Sequence, residues 1–245
     1  MPRSRRFQIP GQVWHITHRC HRQQFLLKFA RDRRLWRYWL FEARKRYGLC
    51  VLNYIVTSNH IHLLVRDQGK GEIAQSMQLV AGRVAQAYNR RKQRKGAFWE
   101  DRYHATAVEK GDHLARCLVY IDLNMVRAGQ VTHPANWETS GYREIQSPPR
   151  RYRIIDLNAL QQTLGMEGTS QFRTIHREWV EQALADDRMQ RDPRWSGSLA
   201  VGSKPFMEEV RRQMGPQVYT RRTESDRETT SLHDSSGTYM PNSNS

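Results

Sequence analysis

Acid is scarce where base is plentiful. From Met1 to Cys50, Asp32 and Glu42 stand against Arg3, Arg5, Arg6, Arg19, Arg22, Lys28 and seven further basic residues between Arg31 and Arg46. Across all 245 residues the formal net charge is +16, which favours a polyanionic partner, either nucleic acid or an acidic membrane surface. Cysteine is scarce too: Cys20, Cys50 and Cys117 lie far apart in no CxxC pair. Neither a disulfide framework nor a cysteine zinc site fits that spacing, whereas a reducing cytosol does. Long apolar runs are missing as well. None approaches the roughly 20 residues that span a bilayer, and the N-terminus has no signal-peptide core, so a cytoplasmic protein without membrane contact is expected. Beyond Tyr219 aliphatic residues almost vanish among Ser, Thr, Asp and Asn, which predicts a disordered tail over 219–245.

What is present is strongly patterned. VWHITHRC alternates Trp14, Ile16 and His18 against His15, Thr17 and Arg19, as a half-buried strand would. Lys28 to Tyr47 repeats apolar residues at helical spacing and meets Gly48. CVLNYIV and HIHLLV, joined by Thr57, Ser58 and Asn59, read as a hairpin. Gly71 to Gln93 predicts a second helix, YHATAVEK a fourth strand, and HLARCLVYIDLNMVRA a third helix with Asp112 as N-cap and Gly129 as its stop. This order predicts an α+β fold: a ferredoxin-like antiparallel sheet packed by helices, with an additional helix. The first domain is expected over 1–147. After Pro148 and Pro149, a small helical extension is expected over 148–218, with helices at Leu157–Leu164, Ile175–Leu184 and Phe206–Met214.

Two stretches carry chemistry. In a strand, His60 and His62 project to one face while Ile61, Leu63 and Val65 point to the other. Two imidazoles so placed can bind one metal ion or act as an acid and base pair. In the third helix, at about 100° per residue, Leu114, Leu118, Ile121 and Met125 form an apolar stripe. His113, Arg116, Tyr120, Asn124 and Arg127 form a polar one, with Tyr120 and Asn124 one turn apart.

With these residues in order, the chain resembles the single-tyrosine HUH transposases, most closely the REP-associated tyrosine transposases of bacteria. PGQVWHITHR, NHIHLLV, FWEDRYHATAVE, YIDLNMVRAGQV and HPANWETSGYREI carry the resemblance, roughly from Met1 to Ile145. The chain departs from the family at Thr57-Ser58, where Met-Pro often precedes Asn-His, and at Met125, where Pro often follows the helix Asn.

The resemblance implies metal-dependent cleavage and joining of single-stranded DNA, on hairpins or palindromic repeats, through a 5′-phosphotyrosine. Tyr120 would be the nucleophile, its helix the additional one, and His60, His62 and Asn124 would hold Mg²⁺ or Mn²⁺. Arg116 and Arg127 are placed to favour the phenolate. Arg5, Arg6, Lys92, Arg94, Lys95, Arg116 and Arg127 are the candidates for contacting nucleic acid. Such a protein would act near the nucleoid, as monomer or homodimer. Two rivals are a non-catalytic binder of DNA or RNA hairpins derived from a transposase, and a histidine-dependent RNA phosphoesterase. The latter rests on His15-Ile16-Thr17 and His60-Ile61-His62 as a duplicated H-x-T/S pattern, which His62 breaks.

Overall fold

The alternation in VWHITHR and HIHLLVR sets up a paired core. In the computed structural model, which describes residues 9–166, 168–186, 190–215, 223–225 and 229–233, β1 (Val13–Arg19) lies antiparallel between β3 (His60–Arg66) and β4 (His104–Val108). β2 (Cys50–Val56) closes the other side of β3, also antiparallel. The order β2-β3-β1-β4 is the ferredoxin-like one that the sequence predicts.

Register assigns the faces. Thr17 is opposite His62, His15 opposite Leu64 and Thr106, and Arg19 opposite His60. Residues directly opposed point the same way, so His15, His60 and His62 share one face. A bulge between Val51 and Asn53 turns Asn53 and Ile55 to that face as well. The opposite face carries Trp14, Ile16 and His18 and is roofed by α1 (Ala30–Tyr47) and α2 (Glu72–Arg91). His18 stacks on Trp99 at 4.1 Å, and the Trp99 indole donates to the Ala81 carbonyl of α2. Gly48 ends α1 with φ +70°, a left-handed conformation that glycine adopts without a Cβ penalty, and donates to the Arg44 carbonyl.

The histidine face is covered by α3 (Asp112–Asp122) and α4 (Asn124–Arg127). Gly111, not Asp112, is the N-cap of α3, and Asp112 sits in its first turn. α5 (Gly141–Gln146) packs so closely on β2 that a Cβ at Gly141 would collide with Asn53 Oδ1 and come within 3.0 Å of the Tyr54 nitrogen. α6 (Leu157–Leu164) has the predicted bounds, and α7 (Thr169–Ala185) runs longer than Ile175–Leu184.

The region after 148 is not all helix. A single turn, α8 (Arg194–Gly197), leads into β5 (Ser198–Gly202), which pairs parallel to β4. α9 (Lys204–Met214) follows. β6 (Thr223–Ser225) pairs antiparallel with β7 (Thr230–His233), and β7 pairs with β5, giving the order β2-β3-β1-β4-β5-β7-β6. The expectation of a disordered tail over 219–245 is therefore corrected at 223–225 and 230–233, while its other residues lie outside the described ones. β6 and β7 are short and polar, so backbone pairing to β5 and to each other orders them rather than apolar alternation. Among the described residues no helix is long and apolar enough to cross a membrane.

Candidate active site

Tyr120 is 8% exposed, on the side of α3 that faces the sheet. The helix breaks immediately after its turn: Leu123 has φ −79° and ψ 2°, and Asn124 opens α4. The sequence predicts one continuous helix, yet the break is slight, because Leu123 and Arg127 still donate to the carbonyls of Val119 and Leu123. Tyr120 and Asn124 thus remain one turn apart. The Tyr120 carbonyl accepts from the Arg127 guanidinium at 2.6 Å, and that guanidinium lies 4.1 Å from the phenol ring centroid. A cation held over the ring face is attracted by its quadrupole.

Two histidines face the tyrosine from the sheet side, and a third lies against one of them. The rings of His62 and His15 lie 6.0 and 6.3 Å from that of Tyr120, both nearly edge-on. His15 and His62 stack with centroids 5.0 Å apart, and His60 meets His62 edge-on at 4.9 Å. His15 Nε2 is 2.8 Å from His62 Nδ1, and His15 Nδ1 is 2.7 Å from the Trp195 carbonyl oxygen. His62 Nε2 lies 3.0 Å from the Asn124 side-chain amide. His60 turns Nδ1 toward Asn59 Oδ1 at 2.7 Å and Thr57 Oγ1 at 3.0 Å.

The electrostatics keep these imidazoles neutral. Burial pushes His15 and His60 down to about 3, with Arg127 adding to the effect on both and Arg19 and Arg191 on His60. His62 is held well below its ordinary value, first by burial and then by His60 and His15. Burial raises Tyr120 above its ordinary value, against which Arg127 and Arg191 act. Of the two arginines expected to favour the phenolate, Arg127 lies over the ring and Arg116 is exposed one turn back on α3, while Arg191 from the C-terminal region acts in the same direction as Arg127.

The donor set can be tested for metal fit. Two ligands at right angles on an ion about 2.1 Å from each lie about 3.0 Å apart. His62 Nε2 and the Asn124 amide have that separation, and a half-turn of the amide brings its oxygen to the same place. Neutral imidazoles are the ligating form. Among the described residues, no group of three or more His, Cys, Asp or Glu could hold a metal by itself, so a site here depends on Asn124.

The candidate nucleic-acid residues divide. Arg127 belongs to the tyrosine site. Lys92 and Lys95 are exposed at the exit of α2, with Lys92 Nζ 5.7 Å from the Phe29 ring. Arg94 closes that turn, donating to Ala97 O at 2.9 Å and Asn89 Oδ1 at 3.3 Å. Arg91, from the same basic run, pairs with buried Asp32 and ties α2 to α1. Arg5 and Arg6 lie outside the described residues. Nothing in the sequence marks Arg191 or Trp195 for a site role, and His15 stands out there only in the phosphoesterase pattern.

Residues 11–124 match the family model of IS200-like transposases. This segment is IS200-like. It begins just before β1 and ends on Asn124, so the transposase-like segment holds His15, His60, His62, Tyr120 and Asn124, while Arg191 and Trp195 lie beyond it. Among solved structures, the chain is similar to a REP-associated tyrosine transposase bound to a REP hairpin. Identity is 18%, covering 65% of this chain and 96% of that one, with a TM-score of 0.51. What the two share at that identity is the fold. A provisionally assigned transposase from Deinococcus radiodurans R1 aligns at 15% identity over 53% of this chain and 98% of its own, with a TM-score of 0.34. No curated protein matches.

Proposed function

We propose that this chain cleaves and rejoins single-stranded DNA with Tyr120 as nucleophile, acting beside hairpins or palindromic repeats. The observation that carries the reading is the convergence of Tyr120, His62 and Asn124, from a helix and a strand far apart in sequence, beneath Arg127. The family match supports transposase chemistry for the segment, and the hairpin-bound relative supports the substrate.

In this reading Tyr120 Oη attacks phosphorus in line as the P–O3′ bond breaks. The products are a 5′-phosphotyrosine and a free 3′-hydroxyl, and because the phosphodiester energy is conserved, another 3′-hydroxyl can reverse the step. The phenol must lose its proton during attack, and Arg127 and Arg191 favour the phenolate that forms. His60 through Nε2, His62 through Nε2 and Asn124 through Oδ1 would hold a divalent ion. When bound, the ion offsets charge on the non-bridging phosphate oxygens and aligns the phosphorus. Oxygen-loving Mg²⁺ or the more imidazole-tolerant Mn²⁺ would serve.

The phosphoesterase reading fares worse. It needs His15 at the substrate, but His15 is fully buried with both ring nitrogens engaged, one on Trp195 and the other on His62.

The test is adduct formation with single-stranded repeat DNA. The unaltered protein should form a covalent protein-DNA adduct with Mg²⁺ or Mn²⁺ and lose it in chelator. Tyr120→Phe should abolish the adduct while DNA binding survives, and Tyr103→Phe, which removes the competing phenol in FWEDRYHATAVE just before β4 that has no asparagine one helical turn on, should retain it. An adduct on Tyr103, or cleavage by the Tyr120→Phe protein, overturns the assignment. Full cleavage in chelator overturns the metal.

A further inference from the structure

His62 has two ring nitrogens and can ligate through Nε2 only if its proton sits on Nδ1. A chain of hydrogen bonds decides where that proton goes. It starts at the Trp195 main-chain oxygen, which accepts only. His15 Nδ1, 2.7 Å away, must therefore carry a hydrogen. His15 is fully buried, and its two nitrogens meet a main-chain oxygen and another imidazole, neither of them an anion, so the buried ring is the neutral form. Its Nε2 is then a bare lone pair, and the His62 Nδ1 that lies 2.8 Å from it must donate. The lone pair of His62 Nε2 is left facing Asn124.

The start of the chain is itself anchored. Thr106 Oγ1 donates its one hydrogen to the Ser198 carbonyl at 2.6 Å and lies 3.3 Å from the Trp195 carbonyl oxygen, so β4 holds the segment that enters β5. His104 Nε2, also on β4, adds a 2.8 Å bond to the same Ser198 oxygen.

We propose that His15 is a positioning residue that fixes His62 in the Nδ1–H tautomer and so presents Nε2 to the ion, the Trp195 carbonyl setting the direction of the chain. The assignment rests on the metal-binding reading of the site and adds to it a buried histidine and a backbone oxygen from outside the family-matched segment. A ligating histidine is oriented by what its other nitrogen donates to, and loss of such a partner weakens metal binding roughly 10- to 100-fold. Stacking alone would make His15 mere packing, and the two roles are separable.

Long-range ¹⁵N–¹H correlation spectra of the metal-free full-length protein should show both His15 and His62 protonated at Nδ1. Protonation of His62 at Nε2 overturns the proposal. Binding of Mn²⁺, followed by the electron paramagnetic resonance of the free ion, should weaken about 10- to 100-fold in His15→Phe, which keeps a ring but no nitrogen. In His15→Gln, whose Oε1 can accept from His62 Nδ1, most of the affinity should return. Native affinity in a folded His15→Phe protein also overturns the proposal. If the unaltered protein binds no Mn²⁺, the metal reading fails, while the tautomers, read without metal, still decide the chain.

Discussion

Replacing His176 by Phe should unfold this protein more readily than its distance from the tyrosine suggests. His176 on α7 is fully buried, its Nε2 donating to Asp122 Oδ2 at 2.8 Å and its Nδ1 accepting from Gln146 at 3.0 Å. Asp122, the last residue of α3, takes Asn53 Nδ2 on its other oxygen at 3.0 Å. One carboxylate thus joins α3 to both β2 and α7. The Phe ring keeps the place between Phe172 and Tyr142, at 5.8 and 5.4 Å from the present imidazole, but leaves Asp122 Oδ2 buried without a donor. Stranding one member of a buried pair costs about 3–5 kcal/mol. At about 2–4 °C per kcal/mol for a chain of this size, the melting temperature followed by circular dichroism should fall by roughly 6–20 °C. The double variant His176→Phe/Asp122→Asn leaves a neutral oxygen or amide in place of a charge. It should recover at least about 1 kcal/mol relative to the single change. A loss below about 1 kcal/mol in His176→Phe, or a double variant no more stable than the single, would refute the reasoning.

Two further outcomes follow from the site and its surface. Because His15 and His60 are held near 3 in the folded protein against about 6.5 unfolded, the unfolded chain takes up protons first as pH falls. Stability should therefore be complete above about pH 6.5 and decline toward pH 3, by at most about 1.4 kcal/mol per pH unit for each histidine and by less for half-buried His60. Urea unfolding at about pH 7 and about pH 4.5 checks this; a profile that His15→Gln does not flatten counts against the burial argument. Lys92→Ala/Lys95→Ala should weaken single-strand binding across sequences and lower its salt slope by roughly 0.7 per lost phosphate contact. Arg94→Ala should instead loosen the turn that Asn89 and Ala97 hold, and an unchanged slope in the lysine variant returns that cluster to plain surface.

The parts of the site that were legible in the sequence are those fixed by local periodicity. His60 and His62 share a face because a strand repeats every two residues, and Tyr120 and Asn124 neighbour one another because a helix nearly repeats every four. The slight break at Leu123 does not disturb that second relation. His15 is different. Its alternation with Ile16 was visible, but its contact is with His62, diagonal to it across β1 and β3, and that depends on register. Trp195 was still less legible, since it serves through a backbone oxygen 180 residues from His15, and any residue type except one that breaks the chain's path could supply that oxygen. Arg191 likewise reads as one more arginine in a basic chain until β5 pairs with β4 and draws its segment toward the tyrosine. These contacts cross the expected boundary after 147: the segment that leads into β5 brings the Trp195 oxygen to His15 and the charge of Arg191 to bear on Tyr120, so the pairing of β5 with β4 that joins the later segment to the fold also joins it to the candidate site.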